Sequence, residues 1–192
     1  EFQDDPTDGI IDDYFITPLS INASTAFTTS WWFKQNSTVS NWVDIPIWYM
    51  PGGSGVYSQY GKIQVQASTN RVMYKTYIRD NGGAAAASLD VTVDPYDQTG
   101  YHNYVISVQA GSYKVYVDGV DHGAGSRTLP NGAEEFNSFR FPRQTTGVSL
   151  SLQQNTVWNK ALSDSEVNEL FNQGAYKNPN DHSFGSNLQH WL

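Results

Sequence analysis

The stretch VWNKALSDSEVNELFNQG (157–174) carries the signals of a helix in a chain whose other segments are patterned as strands. Ser163 and Glu166 have the spacing of a capping box, in which each side chain accepts a hydrogen bond from the backbone N–H of the other residue. Polar residues of this kind just before an apolar run mark the start of a helix. We therefore predict a helix of about two to three turns that begins after Ser163.

Further residues mark the two ends and the buried face of this helix. Leu162 and Val167 occupy the two positions of a hydrophobic staple, and Gly174 stands where a C-terminal cap is expected. Val167, Leu170 and Phe171 follow the i, i+3, i+4 spacing of one helix face. This face is narrow, which favours a helix packed on a sheet edge over a helix in a bundle.

Before this helix, apolar and polar residues alternate with the period of two that is typical of strands. The segment AFTTSWWFKQ (26–35) places Trp31 and Trp32 on opposite faces, so its strand should be covered on both sides, as in a sandwich. In WVDIPIWYM (42–50), Pro46 predicts either an edge strand or a bulge. Trp31, Trp32, Trp42 and Trp158 lie on such strands and are predicted to be core residues.

Short turn sequences join these strands. Hairpins are predicted around Thr69-Asn70 and Ala110-Gly111, and a further turn at Asp118-Gly119. Closely spaced strands with Gly-rich turns and no alternating helices indicate an all-β fold, an antiparallel β-sandwich or jelly roll with one short C-terminal helix.

The charge of the chain is unevenly distributed. The 192 residues carry 11 basic and 19 acidic side chains, a net charge of −8, and include no cysteine. Six of the acidic residues and none of the basic ones fall within residues 1–13, which leaves 11 basic against 13 acidic residues, or −2, for the remainder. We predict an acidic lead-in segment over 1–13 and a single jelly-roll domain over 14–192. This balance argues against nucleic-acid binding.

Membrane insertion is not expected either, because no apolar run approaches the about 18 residues that a membrane span needs.

Three phrases in order resemble the laminin-G-like branch of the concanavalin A-like lectin/glucanase superfamily. They are YHNYVISVQAGSYKVYVDGV (101–120), VWNKALSDSEVNELFNQG (157–174) and the strand TTSWWFKQ, which has Trp32 at the place of the family's buried Trp. The resemblance covers roughly residues 26–174 and implies a concanavalin A-like jelly roll. The final segment NPNDHSFGSNLQHWL (178–192) is similar to laminin-G-like domains within phage and other viral structural proteins.

No catalytic residue is predicted. Hydrolases that share this jelly roll carry a Glu-x-Asp-x-x-Glu pattern on one strand, and the sequence contains no such pattern. Asp90 and Asp94 come nearest, but solvated strand carboxylates explain them more simply. The four histidines, His102, His122, His182 and His190, lack the spacing of a zinc site.

Calcium is the one cofactor that the resemblance suggests, because family members often hold Ca²⁺ at the sheet rim through Asp side chains and carbonyl oxygens. Gln153 stands where the family commonly has an Asp, which puts the usual site in doubt. A Ca²⁺ site and an ordinary solvated acidic segment both remain open for the acidic residues of the lead-in, Asp4, Asp5, Asp8, Asp12 and Asp13.

A loop patch is the candidate ligand site. Aromatic rings stack on sugar faces, while amide, carboxylate and guanidinium groups supply directional hydrogen bonds. The alternative is a set of ordinary exposed side chains on a sandwich surface. The patch lies around the Gly-rich loop 51–55 and a second loop at 79–88, and it comprises Tyr57, Tyr60, Arg79, Asp80 and Asn81.

Three functions are therefore considered. The first is a non-enzymatic module of a virion or cell-surface structural protein, which acts in capsid or fibre decoration or in receptor or glycan attachment. Its partners would be a glycan or host surface receptor, or other virion proteins, with oligomers formed through a parent assembly and a virion or extracellular location. The second is a secreted carbohydrate-binding module. The third is a glycoside hydrolase or lyase of the same fold.

Overall fold

The structure is a computed structural model of the chain. It describes the backbone of residues 2–3, 14–15, 17–22, 26–36, 39–49, 59–68, 71–78, 87–93, 100–109, 112–126, 135–140 and 150–191. Side chains are described for residues 26–34, 36, 92, 100–109, 112–125, 151 and 153–191.

Fourteen strands and one α-helix make up the described part of the chain, together with three short 3₁₀ turns after the helix. The helix α1 spans Asp164–Phe171. The strands are β1 (Phe2–Gln3), β2 (Tyr14–Phe15), β3 (Thr17–Asn22), β4 (Phe27–Gln35), β5 (Val39–Tyr49), β6 (Gln59–Ser68), β7 (Arg71–Ile78), β8 (Ala87–Val93), β9 (His102–Gln109), β10 (Ser112–Val117), β11 (Val120–Ser126), β12 (Glu135–Arg140), β13 (Leu150–Trp158) and β14 (Leu188–Trp191).

Two six-stranded sheets contain twelve of these strands. One has the order β11-β10-β9-β4-β13-β14 and the other β3-β12-β5-β6-β7-β8, and their strand pairs are antiparallel. The short strands β1 and β2 pair with each other, so Phe2–Gln3 of the predicted lead-in lies beside Tyr14–Phe15. The predicted all-β, antiparallel fold with one short helix is confirmed.

Pro46 lies at a bulge. Strand β5 runs between β12 and β6, so it is not an edge strand, and its register with β6 shifts between Ile45 and Ile47. The predicted hairpins β6-β7 and β9-β10 are present, with Ser68 opposite Arg71 and Gln109 opposite Ser112.

Strand β4 is buried on both faces, as its adjacent tryptophans predict. Trp31 is 2% exposed and lies 6.5 Å, between ring centroids, from Tyr104 on the neighbouring strand. Trp32 is 6% exposed and stacks on Phe171 of α1, with ring centroids 5.8 Å apart. The Trp32 side of this sheet, called the outer face below, is therefore the one that α1 covers.

The predicted capping box starts α1. The Ser163 side chain accepts a hydrogen bond from the N–H of Glu166 at 3.4 Å, and the Glu166 carboxylate accepts one from the N–H of Ser163 at 2.9 Å. The predicted cap at Gly174 is wrong, because α1 ends earlier, at Asn172, whose φ is +45°. Asn tolerates this left-handed conformation, and its side-chain amide donates to the carbonyl of Ala175 at 3.1 Å. Gly174, with φ +82°, instead ends the 3₁₀ turn that follows.

A hydrophobic cluster holds α1 on the outer face. Leu162 and Val167, the predicted staple residues, are both buried in it. Burial of aliphatic and aromatic side chains is the main stabilising contribution in such a contact. The buried members of the cluster come from the sheet, the helix and the segment after it: Val105, Tyr116, Trp158, Leu162, Val167, Leu170 and Phe184.

The β10-β11 turn contacts α1 directly. Asp118 and Gly119 form a two-residue connection with φ values of +51° and +77°, the signs of a type I′ hairpin turn. A Cβ atom added at Gly119 would lie 2.9 Å from the Asn168 side-chain oxygen and 3.2 Å from Cδ1 of Phe171. The phrases 101–120 and 157–174, which lie far apart in the sequence, therefore meet at this turn.

Residues 175–187, called the C-terminal strap below, run from α1 back to β14. Glu169 of α1 accepts hydrogen bonds from Lys177 at 2.8 Å, from the N–H of Ser183 at 2.8 Å and from the Ser183 hydroxyl at 2.5 Å. Phe184 of the strap meets the Trp158 ring edge-on at 5.5 Å. One helix carboxylate and one buried ring thus fasten the strap.

Replacing Gly119 tests the contact between turn and helix. We expect Gly119→Ala to lower the free energy of unfolding by about 2–3 kcal/mol, because the new methyl group meets both an unfavourable φ and the atoms of α1. Gly174→Ala is the matched control, since its φ is +82° but no atom lies within 4 Å of the added Cβ. It should cost only about 1 kcal/mol. Urea unfolding measures the loss of unfolding free energy in both variants. Equal losses would contradict the contact between the β10-β11 turn and α1.

Acid should weaken the strap. Burial alone raises the pKa of Glu169, but hydrogen bonds from Lys177 and Ser183 outweigh it and lower the pKa to about 2. The stabilisation is therefore fully present above the ordinary carboxyl pKa of 4.5 and is lost as the pH falls towards about 2. At pH 7, Glu169→Gln should lose about 1–2 kcal/mol of unfolding free energy.

Thermal melts at pH 7 and pH 3 measure the difference in stability between the wild type and Glu169→Gln. Asp181→Asn is the control for an exposed carboxylate. A difference between wild type and Glu169→Gln that is as large at pH 3 as at pH 7 would show that the carboxylate does not fasten the strap.

Candidate binding groove

An open groove lies where α1 begins above β9 and β10. Its volume is about 600 Å³. This falls in the range of roughly 300–1,000 Å³ found for small-ligand sites. The groove, called the α1 groove below, is lined by Ser107, Gln109, Lys114 and Tyr116 from the sheet and by residues 161–165.

Buried hydroxyl groups position the wall that precedes the helix. The Thr28 hydroxyl donates to the Lys160 carbonyl at 2.7 Å and accepts from the N–H of Leu162 at 2.9 Å. The Ser107 hydroxyl donates to the Leu162 carbonyl at 2.8 Å. Buried backbone groups need such partners, and here the partners fix residues 160–162 to β4 and β9 just before the helix starts.

A charged network crosses the groove. The Lys114 ammonium lies 2.9 Å from a carboxylate oxygen of Asp121 and 2.9 Å from Oδ1 of Asp164. The Tyr116 hydroxyl donates to the same Asp164 oxygen at 2.7 Å, and the N–H of Gly123 donates to Asp121 at 2.7 Å. Strand β10 thus supplies a cation and a phenol that hold the first residue of α1.

This network keeps its carboxylates ionised. The hydrogen bond from Lys114 is the largest cause of the lowered pKa of Asp164, and the same donor lowers the pKa of Asp121. Burial, followed by the hydrogen bond to Asp164, raises the pKa of Tyr116 above its ordinary value. The three charged groups therefore carry a net charge of −1 at neutral pH.

These pKa shifts do not suit the proton-donating role in acid–base catalysis. A glycosidase needs one carboxyl group that stays protonated near neutral pH, and its pKa is therefore raised. Asp164 and Asp121 are both shifted in the opposite direction. The α1 groove has the chemistry of a hydrogen-bonding surface.

The predicted loop patch lies largely outside the described residues. This holds for Tyr57, Arg79, Asp80 and Asn81, while Tyr60 has a described backbone in β6 but no described side chain. The patch therefore stays a prediction. The same is true of the predicted calcium ligands, since Asp4, Asp5, Asp8, Asp12 and Asp13 also lie outside the described residues.

Other residues singled out in the sequence have described positions. Asp90 lies on β8 opposite Lys75 of β7, and Asp94 is outside the described residues. Gln153 is exposed on β13 opposite Trp32, just before a bulge at which Gln154 has a φ of +52°.

The histidines take separate roles. His102 pairs with Asp118 at 2.5 Å. His182 is buried against Phe184, with ring centroids 5.1 Å apart, and burial lowers the pKa of His182. Burial also lowers the pKa of His122 and His190. Among the described residues, no three His, Asp or Glu side chains gather as a metal site would require.

Within the described part of the chain, no helix has the length and apolar character needed to cross a membrane.

Sequence reasoning did not find the α1 groove. Lys114 and Tyr116 lie in a segment that merely alternates as a strand does, and Asp164 lies between the two capping-box residues, Ser163 and Glu166. The available signal was their spacing, since residues two apart on a strand share a face. Their partner Asp164 lies about fifty residues further along the chain, and only the folded structure brings it to them.

Solved structures with similar folds include proteins of several kinds. A heptameric SAP-like pentraxin from Limulus polyphemus matches with a TM-score of 0.62 and 10% identity, over 88% of this chain and 79% of the pentraxin chain. The binding domain of Paraclostridial Mosquitocidal Protein 1 matches with a TM-score of 0.60 and 16% identity, over 84% and 41%. The binding domain of Botulinum Neurotoxin DC in complex with SialylT matches with a TM-score of 0.57 and 17% identity, over 93% of this chain and 46% of that chain.

At these identities the likeness concerns the fold alone, a jelly roll of the lectin-like kind. The chain spans less than half of the length of the two toxin binding domains. Among curated proteins, none matches the sequence.

A family model also matches most of the chain. Its description is "Concanavalin A-like lectin/glucanases superfamily", and it covers residues 5–168. This range includes the capping box and the YVDG turn that suggested the resemblance. The chain therefore belongs to the laminin-G-like family of the concanavalin A-like lectin/glucanases superfamily.

Proposed function

We propose that the chain is a non-enzymatic carbohydrate-binding module that attaches a virion or a cell-surface protein to a glycan-bearing receptor. The observation that carries this proposal is the α1 groove, in which Lys114, Tyr116 and Asp164 form a fixed polar network beside the helix. Preorganised donors and acceptors in an open groove suit the binding of hydroxyl-rich ligands, because little side-chain freedom is lost on binding.

Proteins of similar fold support a binding role. One toxin binding domain has been solved in complex with SialylT, and cell entry of botulinum neurotoxin type C depends on interaction with two ganglioside molecules. These statements concern those proteins. They make attachment to a cell-surface glycan a sensible hypothesis for a chain with the same fold.

The virion or extracellular location is the finer part of the proposal. It rests on the resemblance of the closing phrase to domains of viral structural proteins. Part of that phrase has a structural role, because Leu188 packs against the hydrophobic cluster and β14 pairs with β13. Other virion proteins are the second class of partner, and Ca²⁺ bound by the lead-in belongs to the same proposal.

A hydrolase or lyase is the alternative that we disfavour. The lowered pKa values of Asp121 and Asp164 leave the groove without a carboxyl group suited to donate a proton. A secreted carbohydrate-binding module shares the proposed binding chemistry and differs only in its parent chain.

A glycan array, read together with an assay for polysaccharide cleavage, tests the proposal. We expect the purified chain to bind a subset of glycans and to release no reducing ends from any glycan that it binds. A heat-unfolded sample serves as the control for non-specific adhesion. Release of reducing ends from a bound glycan would contradict the non-enzymatic assignment, and an empty array would contradict glycan binding.

A further inference from the structure

We propose that the α1 groove is itself the saccharide site and that it selects uncharged, hydroxyl-rich sugars over acidic ones. This inference rests on the proposed glycan-binding function and adds the place of binding and the class of ligand. It follows from the hydrogen-bonding groups that line the groove and from the two carboxylates, Asp121 and Asp164, that an acidic ligand would meet.

The groove offers polar and apolar surface together. Tyr116 is 1% exposed and Leu162 is 3% exposed, so both are already largely covered by the protein. The remaining lining combines hydroxyl, amide and charged groups with aliphatic carbon. A sugar, which carries C–H groups between its hydroxyl groups, matches such a mixed lining.

Acidic ligands meet two ionised carboxylates. Lys114 carries the one ammonium group among the described lining residues, and it already donates to both Asp121 and Asp164. It pairs with an incoming anion only by giving up one of these bonds. The start of α1 does not favour an anion either, because Asp164 occupies its first position and the Ser163 side chain already accepts from the N–H of Glu166.

A neutral sugar does not meet this repulsion. Lys114 and Tyr116 both donate to the same carboxylate oxygen of Asp164, Oδ1. The Asp164 side chain is 63% exposed, so its carboxylate is accessible to a sugar hydroxyl. A hydroxyl that donates to a carboxylate makes a charge-assisted hydrogen bond, which is stronger than a bond between neutral groups. The exposed Ser165 hydroxyl lies on the same wall.

The test uses a glycan array that carries each oligosaccharide core in a neutral and a sialylated form. We expect the wild-type chain to bind neutral cores at least about tenfold more tightly than their sialylated forms. Asp164→Asn should weaken binding of the best neutral glycan by about tenfold, because the charge-assisted bond is lost. It should also narrow the preference against sialylated cores, because one repelling charge is removed.

Asp181→Asn is the matched control, since it makes the same change at an exposed carboxylate that does not line the groove. Circular dichroism and thermal melting confirm that both variants are folded. Calorimetry with the best neutral glycan from the array then gives the affinities.

The outcomes separate this inference from the proposed function. If no glycan binds, both fail. If glycans bind and Asp164→Asn behaves like Asp181→Asn, the proposed function stands, but the saccharide site lies elsewhere and the inference is overturned. A wild-type preference for sialylated cores would also overturn it, because the net negative charge of the groove would then not control selection.

Discussion

The packing of α1 on the outer face of the sheet is the contact on which the described structure depends. Val167 and Leu170 supply the apolar face of the helix, and Trp158 and Val105 receive it. Full burial of one such aliphatic side chain contributes about 1.5–3 kcal/mol, so a two-turn helix with little stability of its own is held in place by its packing. The helix in turn positions the strap through Glu169 and the groove through Asp164.

The sequence was sufficient to predict this helix because its signals are local. The capping box and the staple lie within a few residues of each other, and both are present in the structure. The hairpins and the burial of Trp31 and Trp32 were predictable for the same reason. The exact end of the helix was not, because Asn172 is stabilised by its own side-chain bond to Ala175 and so replaces the glycine as the cap.

The groove and the strap depend on contacts between distant residues. Asp164 is tied to β10 by Lys114 and Tyr116, and Glu169 is tied to Ser183 across the strap. The hydrophobic periodicity of the sequence cannot predict such pairs, because each partner looks like an ordinary surface residue in its own segment. The sequence pattern did not predict strands β11 and β14 either. VDHGAGS is too rich in small residues to alternate clearly, and LQHW is too short.

Carboxyl titration by carbon-13 NMR tests the central claim, that the docked helix places Asp164 against Lys114, most directly. We predict that the pKa of Asp164 lies below its ordinary value in the wild-type chain and rises towards it in Lys114→Gln. Glu169, which Lys177 and Ser183 hold near a pKa of about 2, is the internal control and should not change. An Asp164 that titrates at its ordinary value in the wild type, or that does not respond to Lys114→Gln, would contradict the account.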